Sequence, residues 1–479
     1  MKKGTILNDL LITDIAYGGT GIAKIPTAEG EFVVFVENTL PGQKVSARVI
    51  KNKKRYSEAK LIRVTQRSAD ETVLPYQRIP GAPFAAWPID KQVAYKKRST
   101  LEMFKRIGEM PDVENLFDEF IASPRTWSYR NKMEYSFSTL ESDIDTAEET
   151  VGFALGFKRR GQWWAVENLE KASGLFDDVF ENGMPIIRNF CISTGLPPWN
   201  PAKSNGFFRF LVVRKSFTDD ELLFNLVTTS DGMEKFDQMS FVNCLKSILG
   251  DRLAGVWHTI NDEVGDVVKQ PAEASTLLYG KAKIRENILG LNFDISMQSF
   301  FQTNPASAEK LYAKTIAYVQ EGMQLIGGKD LAAMDLFCGT GTIAQLLSTC
   351  PGIKNIVGVD IVEEAIEDAK ENAALNGIKN IDFYAADAGK FLKNYPQYEG
   401  KIGVVVLDPP RAGIAPKTLL KVIDLKAGAI VYVSCNPSTQ ARDALALKEA
   451  GYRLVKMSFA DQFPHTSHIE SVALFVLGK

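Results

Sequence analysis

The chain has 479 residues, enough for two or three domains, and its 45% hydrophobic and 24% charged residues are ordinary for a globular protein. No run of 18 or more apolar residues and no signal-peptide core follows Met1-Lys-Lys-Gly-Thr, so a membrane protein is not expected and a cytoplasmic one is. The net charge of −2 neither favours nor excludes a nucleic-acid partner, and five scattered cysteines without C-x-x-C spacing offer neither a disulfide frame nor a zinc site.

Residues 1–67 read as a small all-β module. Apolar runs at Asp9–Ile15, Phe32–Val36, Lys44–Ile50 and Ser57–Val64 are broken by Tyr17-Gly-Gly-Thr-Gly21, Glu29-Gly30 and Pro41-Gly42. From Lys44 to Arg67 nine Lys or Arg stand against one acid, Glu58. Such a stripe on a small barrel fits phosphate binding, and barrels of this size commonly carry oligonucleotides, which favours RNA over a merely solvated face.

Residues 68–292 form a proline-rich connector and a central domain. Asp90 to Met110 reads as a helix, with Lys96-Lys97-Arg98 and Lys105-Arg106 as a second basic patch. Strands are expected at Lys132–Thr139, Val151–Lys158, Phe207–Arg214, Leu222–Thr229 and Gly255–Asn261, and helices at Gly174–Thr194 and Lys235–Leu249, an α+β pattern with a mainly antiparallel sheet. Lys158-Arg-Arg-Gly-Gln-Trp-Trp164 mixes cations with aromatics, as single-strand nucleic-acid sites do, but equally fits a solvated hairpin tip.

Residues 293–479 are regular. Seven strands are expected, near Ala332–Phe337, Asn355–Val359, Ile381–Ala385, Ile402–Leu407, Ala429–Val433, Leu454–Phe459 and Ser471–Leu477, with helices such as Val362–Asn376, Pro416–Ile423 and Ser438–Glu449 between them. This alternation predicts a Rossmann-like α/β domain with a mostly parallel seven-stranded sheet, its last two strands an antiparallel hairpin at one edge.

Five strand ends, and the segment before the last strand, carry the chemistry. Asp335-Leu-Phe-Cys-Gly339-Thr-Gly341 lets backbone approach a ligand, and Asp360 closes the next strand 19 residues after Gly341, where a carboxylate suits ribose hydroxyls. Dinucleotide dehydrogenases and S-adenosylmethionine methyltransferases share this pattern. Asp387, ending the third strand, either faces an adenine or caps a helix. Asp408-Pro-Pro-Arg411 makes a rigid turn whose carboxylate can accept the ring N–H of uracil, whereas an asparagine would suit an amino group. Cys435 sits where Ile430–Val433 hands over to a helix capped by Asn436. A helix start lowers a thiol below its free value of about 8.5, although most lone cysteines are buried and inert. In Asp461-Gln-Phe-Pro-His465-Thr-Ser-His468-Ile-Glu470 two of the three histidines and an acid lie close together; without a third ligand a metal site is not expected, and one of these groups reads as a general base. Cys435 as thiolate, Glu470 as base and Asp408 as base-edge contact fit one reaction: addition to carbon 6 of a uracil, methylation of carbon 5, then removal of the carbon-5 hydrogen.

In Gln298-Ser-Phe-Phe-Gln302-Thr-Asn-Pro305, Asp335–Gly341, Leu407–Gly413, Val433–Pro437 and Phe463–Glu470 the chain resembles the RNA uracil-5-methyltransferase family over essentially its full length. The resemblance implies Cys435 as nucleophile, Glu470 as base, and Gln302, Phe337, Asp360 and Asp408 as S-adenosylmethionine contacts. Asp14–Gly21 with Phe35–Gly42 looks like a TRAM domain, which within the family implies large-subunit (23S) ribosomal RNA, rather than transfer RNA, as partner. Many members hold an iron–sulfur cluster on cysteines ahead of the central domain; here none precedes Cys191, so no cluster is expected. A monomer is expected. Two other activities fit less well. A cytosine carbon-5 enzyme would place a cysteine where Pro409-Pro410 stands, and a dinucleotide-dependent oxidoreductase would leave Cys435, Glu470 and the basic barrel unexplained.

Overall fold

The computed structural model describes residues 2–27, 30–143, 148–159, 162–265, 268, 271–328 and 330–478. Packing divides the chain into two compact units: residues 1–95, 126–284 and 464–467 form the first, and residues 96–125, 285–463 and 468–479 the second.

The first unit opens with a closed barrel of five strands in the spatial order Ile6–Ile15, Gly21–Thr27, Gly30–Val36, Tyr56–Gln66, Lys44–Asn52. Its interior is small and branched: Ile12, Ala23, Val34, Val45, Ala47 and Ala59 are all buried. Gly21–Thr27 is the strand that the apolar runs did not reveal, because Lys24 and Pro26 interrupt its alternation. Outside, Lys44, Arg48, Lys51, Lys53, Lys54, Arg55, Arg63 and Arg67 are exposed, so the basic stripe is a surface feature.

The same unit holds a seven-stranded sheet among the described residues, ordered Ser275–Gly280, Leu253–Ile260, Leu222–Thr228, Phe208–Lys215, Lys132–Ser142, Glu149–Arg159, Gln162–Asn168. Neighbours in this order run antiparallel except Leu222–Thr228 with Leu253–Ile260, as the α+β reading expects. The expected helix Gly174–Thr194 is two, Asp178–Asn182 and Met184–Ser193, because Gly183 ends one and Pro185 sits in the first turn of the other. Arg160 and Gly161 of the cation–aromatic hairpin tip, and Glu29 of the barrel turn, lie outside the described residues.

The second unit is a sheet covered on both faces. Its strand order is Ile381–Ala385, Ile353–Asp360, Leu331–Leu336, Ile402–Leu407, Ala429–Ser434, Glu470–Leu477, Tyr452–Ala460, Phe117–Ile121. The first five run parallel, and the inner Leu331–Leu336, Ile402–Leu407 and Ala429–Ser434 are nearly continuous apolar runs, as strands covered on both faces must be. The sheet therefore has eight strands among the described residues, not the expected seven. Tyr452–Ala460 and Glu470–Leu477 are the expected antiparallel pair, but not an edge: Phe117–Ile121 adds in parallel to Tyr452–Ala460, with Met457 opposite Phe117 and Phe459 opposite Phe120. This short strand was hidden because Asp118 and Glu119 break its apolar character; Lys314 pairs with both. It also carries residues 96–125, which the sequence placed in the central domain, into the packing of the C-terminal sheet.

Candidate active site

The loop after Leu331–Leu336 has an uncommon backbone. Phe337, Gly339 and Gly341 all have positive φ (67°, 53° and 74°), a region that a phenylalanine enters only when its surroundings force it. Here the Phe337 and Cys338 N–H groups both donate to the Val359 carbonyl, at 2.8 and 3.1 Å. A Cβ on Gly341 would stand 2.8 Å from the Phe383 ring and 2.9 Å from Ala369, so only glycine lets the following helix Thr342–Leu347 close on the sheet. Asp360, at the end of the neighbouring strand, accepts the Gly339 N–H through Oδ2 and the Val362 N–H through Oδ1, both at 2.9 Å. The Gln302 loop joins this turn from another direction, the Thr340 hydroxyl donating to the Phe300 carbonyl at 3.4 Å. Open backbone turn, strand-end carboxylate and the backbone leading into Gln302 thus meet at the carboxyl ends of the parallel strands, where α/β sheets bind ligands.

Cys435 follows Ala429–Ser434 directly and is a partly exposed free thiol. Asn436 accepts the Ser438 N–H at 3.2 Å to cap Pro437–Glu449, and its Nδ2 donates to the Arg411 carbonyl at 2.9 Å, fastening the Asp408–Gly413 loop beside the cysteine. The expected lowering of the thiol is reversed. Burial, then the charges of Glu470 and Asp408, push Cys435 up to about 11, with the Arg411 guanidinium opposing them. Two nearby acids and lost solvent outweigh one helix start, whose effect is of order 1 kcal/mol.

The acids perturb one another as well. Burial raises the Asp408 carboxyl to about 7. Glu470, 3% exposed at the first position of its strand, is raised well above the ordinary glutamate value by burial and then by Asp408, against Arg411. Asp335 is fully buried, and neither of its oxygens meets a donor in full hydrogen-bond geometry. Burial and then Asp408 hold it well above the usual range, with the Ala344 amide only opposing the shift. Tyr312, two turns into helix Pro305–Leu325, hydrogen-bonds with Gln302 and is raised by burial and by Asp408, Glu470 and Asp335. Cys435, Glu470, Asp408 and Gln302 are therefore one cluster. Tyr312 and Asp335 belong to it too, although the sequence did not single out Tyr312 and named Asp335 only as the start of the glycine motif.

Phe337 and Asp360 shape the neighbouring turn. Asp387 stands apart: it caps helix Ala388–Asn394 by accepting the Lys390 N–H at 2.9 Å, the second of its two readings. His465 is not placed as a base. Within the first unit it stacks on Trp127 at 3.8 Å, its N–H donates to Gln92 Oε1 at 2.8 Å, and Gln92 Nε2 lies 3.2 Å from its Nδ1. Among the described residues no group of three or more His, Cys, Asp or Glu is arranged to hold a metal ion.

Comparisons with known proteins match this geometry. The family model for tRNA (uracil-5-)-methyltransferase matches residues 283–477, and that for the TRAM domain matches residues 7–62. A protein of Caldanaerobacter subterraneus subsp. tengcongensis, described as an uncharacterized RNA methyltransferase, is 36% identical over 478 residues, 99% of each chain. One from Clostridium tetani with the same description is 36% identical over 482 residues, 98% of each. The crystal structure of Pyrococcus abyssi tRNA (uracil-54, C5)-methyltransferase in complex with S-adenosyl-L-homocysteine is similar at a TM-score of 0.72 and 25% identity, covering 98% of this chain and 100% of that one. The backbone at Gly339 is open, with nothing within 4 Å of where a Cβ would stand, as close approach by a cofactor requires. The chain belongs to the RNA uracil-5-methyltransferase family and is an S-adenosylmethionine-dependent RNA methyltransferase.

Proposed function

We propose that the enzyme methylates carbon 5 of a uridine in 23S ribosomal RNA through a transient bond between Cys435 and carbon 6. The observation that carries this reading is the cluster itself: one accessible thiol at a strand end, electrostatically coupled to a buried Glu470 and to Asp408. Carbon 5 of uracil is a weak nucleophile. Addition of the Cys435 sulfur to carbon 6 breaks the 5,6 double bond and moves its electron pair onto carbon 5 and the 4-carbonyl. S-adenosylmethionine, when bound, supplies a sulfonium methyl that this electron pair can take. Glu470 then removes the hydrogen left on carbon 5; the freed pair re-forms the double bond and the carbon–sulfur bond breaks, returning the thiolate.

A neutral thiol at pH 7 must lose its proton before it adds to carbon 6. The raised value of Glu470 makes it, once ionised, a stronger base than an exposed glutamate. Gln302, Phe337 and Asp360 are the proposed cofactor contacts, with Asp408 shared between cofactor and base edge. A free lone pair of the Asp387 carboxylate is the proposed adenine contact.

A second reading takes transfer RNA as substrate, because a tRNA enzyme by description aligns with 98% of this chain, barrel included. Mapping 5-methyluridine in ribosomal and transfer RNA from a deletion strain separates the two: a loss confined to transfer RNA removes the ribosomal assignment. For the mechanism, Glu470→Gln should methylate yet stall as a protein–RNA adduct stable on denaturing gels. An active, adduct-free variant would strip Glu470 of its role.

A further inference from the structure

Glu470 is the first residue of its strand, and only one neighbour holds it by pairing. On the Ala429–Ser434 side the ladder ends with Ser434 opposite Ser471; Glu470 itself is opposite Ala460 on Tyr452–Ala460. That second ladder carries an irregularity between Leu454 and Lys456 and is regular from Lys456 to Ala460, where it ends at Glu470. A slip of one residue would turn the glutamate to the opposite face of the sheet. Contacts just past Ala460 can hold that end in place.

Two buried polar pairs act on the residues just past Ala460. Lys96 Nζ meets Asp461 Oδ1 at 2.6 Å with side chains 0% and 2% exposed, and the same ammonium donates to the Phe463 carbonyl at 3.0 Å. Gln462 Nε2 donates to the Asn304 carbonyl and Asn304 Nδ2 to the Gln462 carbonyl, both at 3.1 Å, while the Ser307 hydroxyl donates to the Asp461 carbonyl at 3.0 Å. Asn304 also caps helix Pro305–Leu325 and lies two residues from Gln302. Burial lowers the Lys96 ammonium and Asp461 opposes the shift. A buried ion pair of this kind contributes little net stability, because desolvation of both charges offsets their attraction, and an apolar pair of the same volume would serve a core as well. What the charged pair adds is direction: it has one geometry, whereas packed methylenes have several.

Building on the assignment of Glu470 as base, we propose that Lys96 and Gln462 are positioning residues that lock Glu470 in register and hold its strand to the Gln302 loop. They touch neither RNA nor cofactor in this role. The step they govern is removal of the carbon-5 hydrogen, which needs the carboxylate placed to within a fraction of an ångström, rather than the addition of Cys435 to carbon 6.

The test separates those two steps. Single-turnover reactions use RNA extracted from a deletion strain and compare wild type, Glu470→Gln, the double variant Lys96→Met/Asp461→Asn, which removes both buried charges together, and Gln462→Met. The proposal expects adduct to form at close to the wild-type rate in the double and Gln462→Met variants. Its resolution should be slowed by up to about 100-fold, the cost of misplacing a reacting group by about 1 Å, so that adduct accumulates as in Glu470→Gln. Unchanged resolution, or equal slowing of both steps, overturns the proposal. If the double variant does not fold, Gln462→Met alone decides. Absence of adduct in Glu470→Gln would defeat the base assignment itself; adduct in Glu470→Gln but in neither positioning variant would defeat only the present inference.

Discussion

The two halves of the site are built on opposite principles. On the cofactor side, Asp360 has both oxygens occupied by backbone N–H groups at 2.9 Å, and the left-handed turn is tied by the Val359 carbonyl. On the thiol side, Asp335 is fully buried, Asp408 is pushed to about 7, Glu470 is raised well above its ordinary value, and Cys435 reaches about 11. The first half satisfies its carboxylate with backbone donors; the second holds its acids and thiol towards their neutral forms by burial and by one another. Damage to the two halves should therefore appear in different measurements.

The largest effect should come from the thiol. Cys435→Ala should lower single-turnover methylation by roughly 10⁶-fold, as loss of a nucleophile does, abolish trapping by RNA carrying 5-fluorouridine, and leave equilibrium binding of S-adenosylmethionine unchanged. Substantial turnover without trapping would mean that no covalent step exists. Asp360→Ala should do the reverse. Removing a charged acceptor of two hydrogen bonds should weaken S-adenosylmethionine by about 1.5–3 kcal/mol, roughly 10- to 100-fold by titration calorimetry, while saturating cofactor restores most of the rate. A variant that binds normally would show that Asp360 organises the turn alone.

The origin of the thiol's reluctance can be tested directly. After burial, Glu470 is the larger of the two charges raising Cys435, and Arg411 opposes it. The pH midpoint for alkylation of Cys435 by iodoacetamide should lie near 11 in wild type. It should move down in Glu470→Gln and up in Arg411→Ala. An unmoved midpoint in both would leave burial as the sole cause.

Most of this architecture was legible because its signals are local. A β-branched run ending in Asp360 or Cys435, a glycine pair after Phe337, and a proline after Asn436 each constrain backbone within a few residues. What stayed hidden depends on groups distant in sequence. Phe117–Ile121 has too few apolar residues to stand out and gains strand character only beside Tyr452–Ala460. Helix position alone predicted a more acidic Cys435; the opposite shift needs Glu470 and Asp408 brought close by the sheet. Tyr312 and Asp335 drew no assignment of their own for the same reason.

Asp335 gives the smallest effect and the most direct test of burial. Its folded pKa is raised above the unfolded value of about 3.9. Between the two values the native state binds more protons than the unfolded state, so stability falls as pH rises through that window. Asp335→Asn removes the titration. It should therefore be nearly neutral close to pH 4.5 and stabilising by about 1–3 kcal/mol at pH 8.5, the range for relieving a buried unsatisfied polar group. Melting temperatures measured without S-adenosylmethionine, so that ligand linkage does not contribute, would read the difference. A benefit equal at both pH values would mean that the folded carboxyl titrates at its unfolded value, and a loss at both would mean that its oxygens have partners in solution.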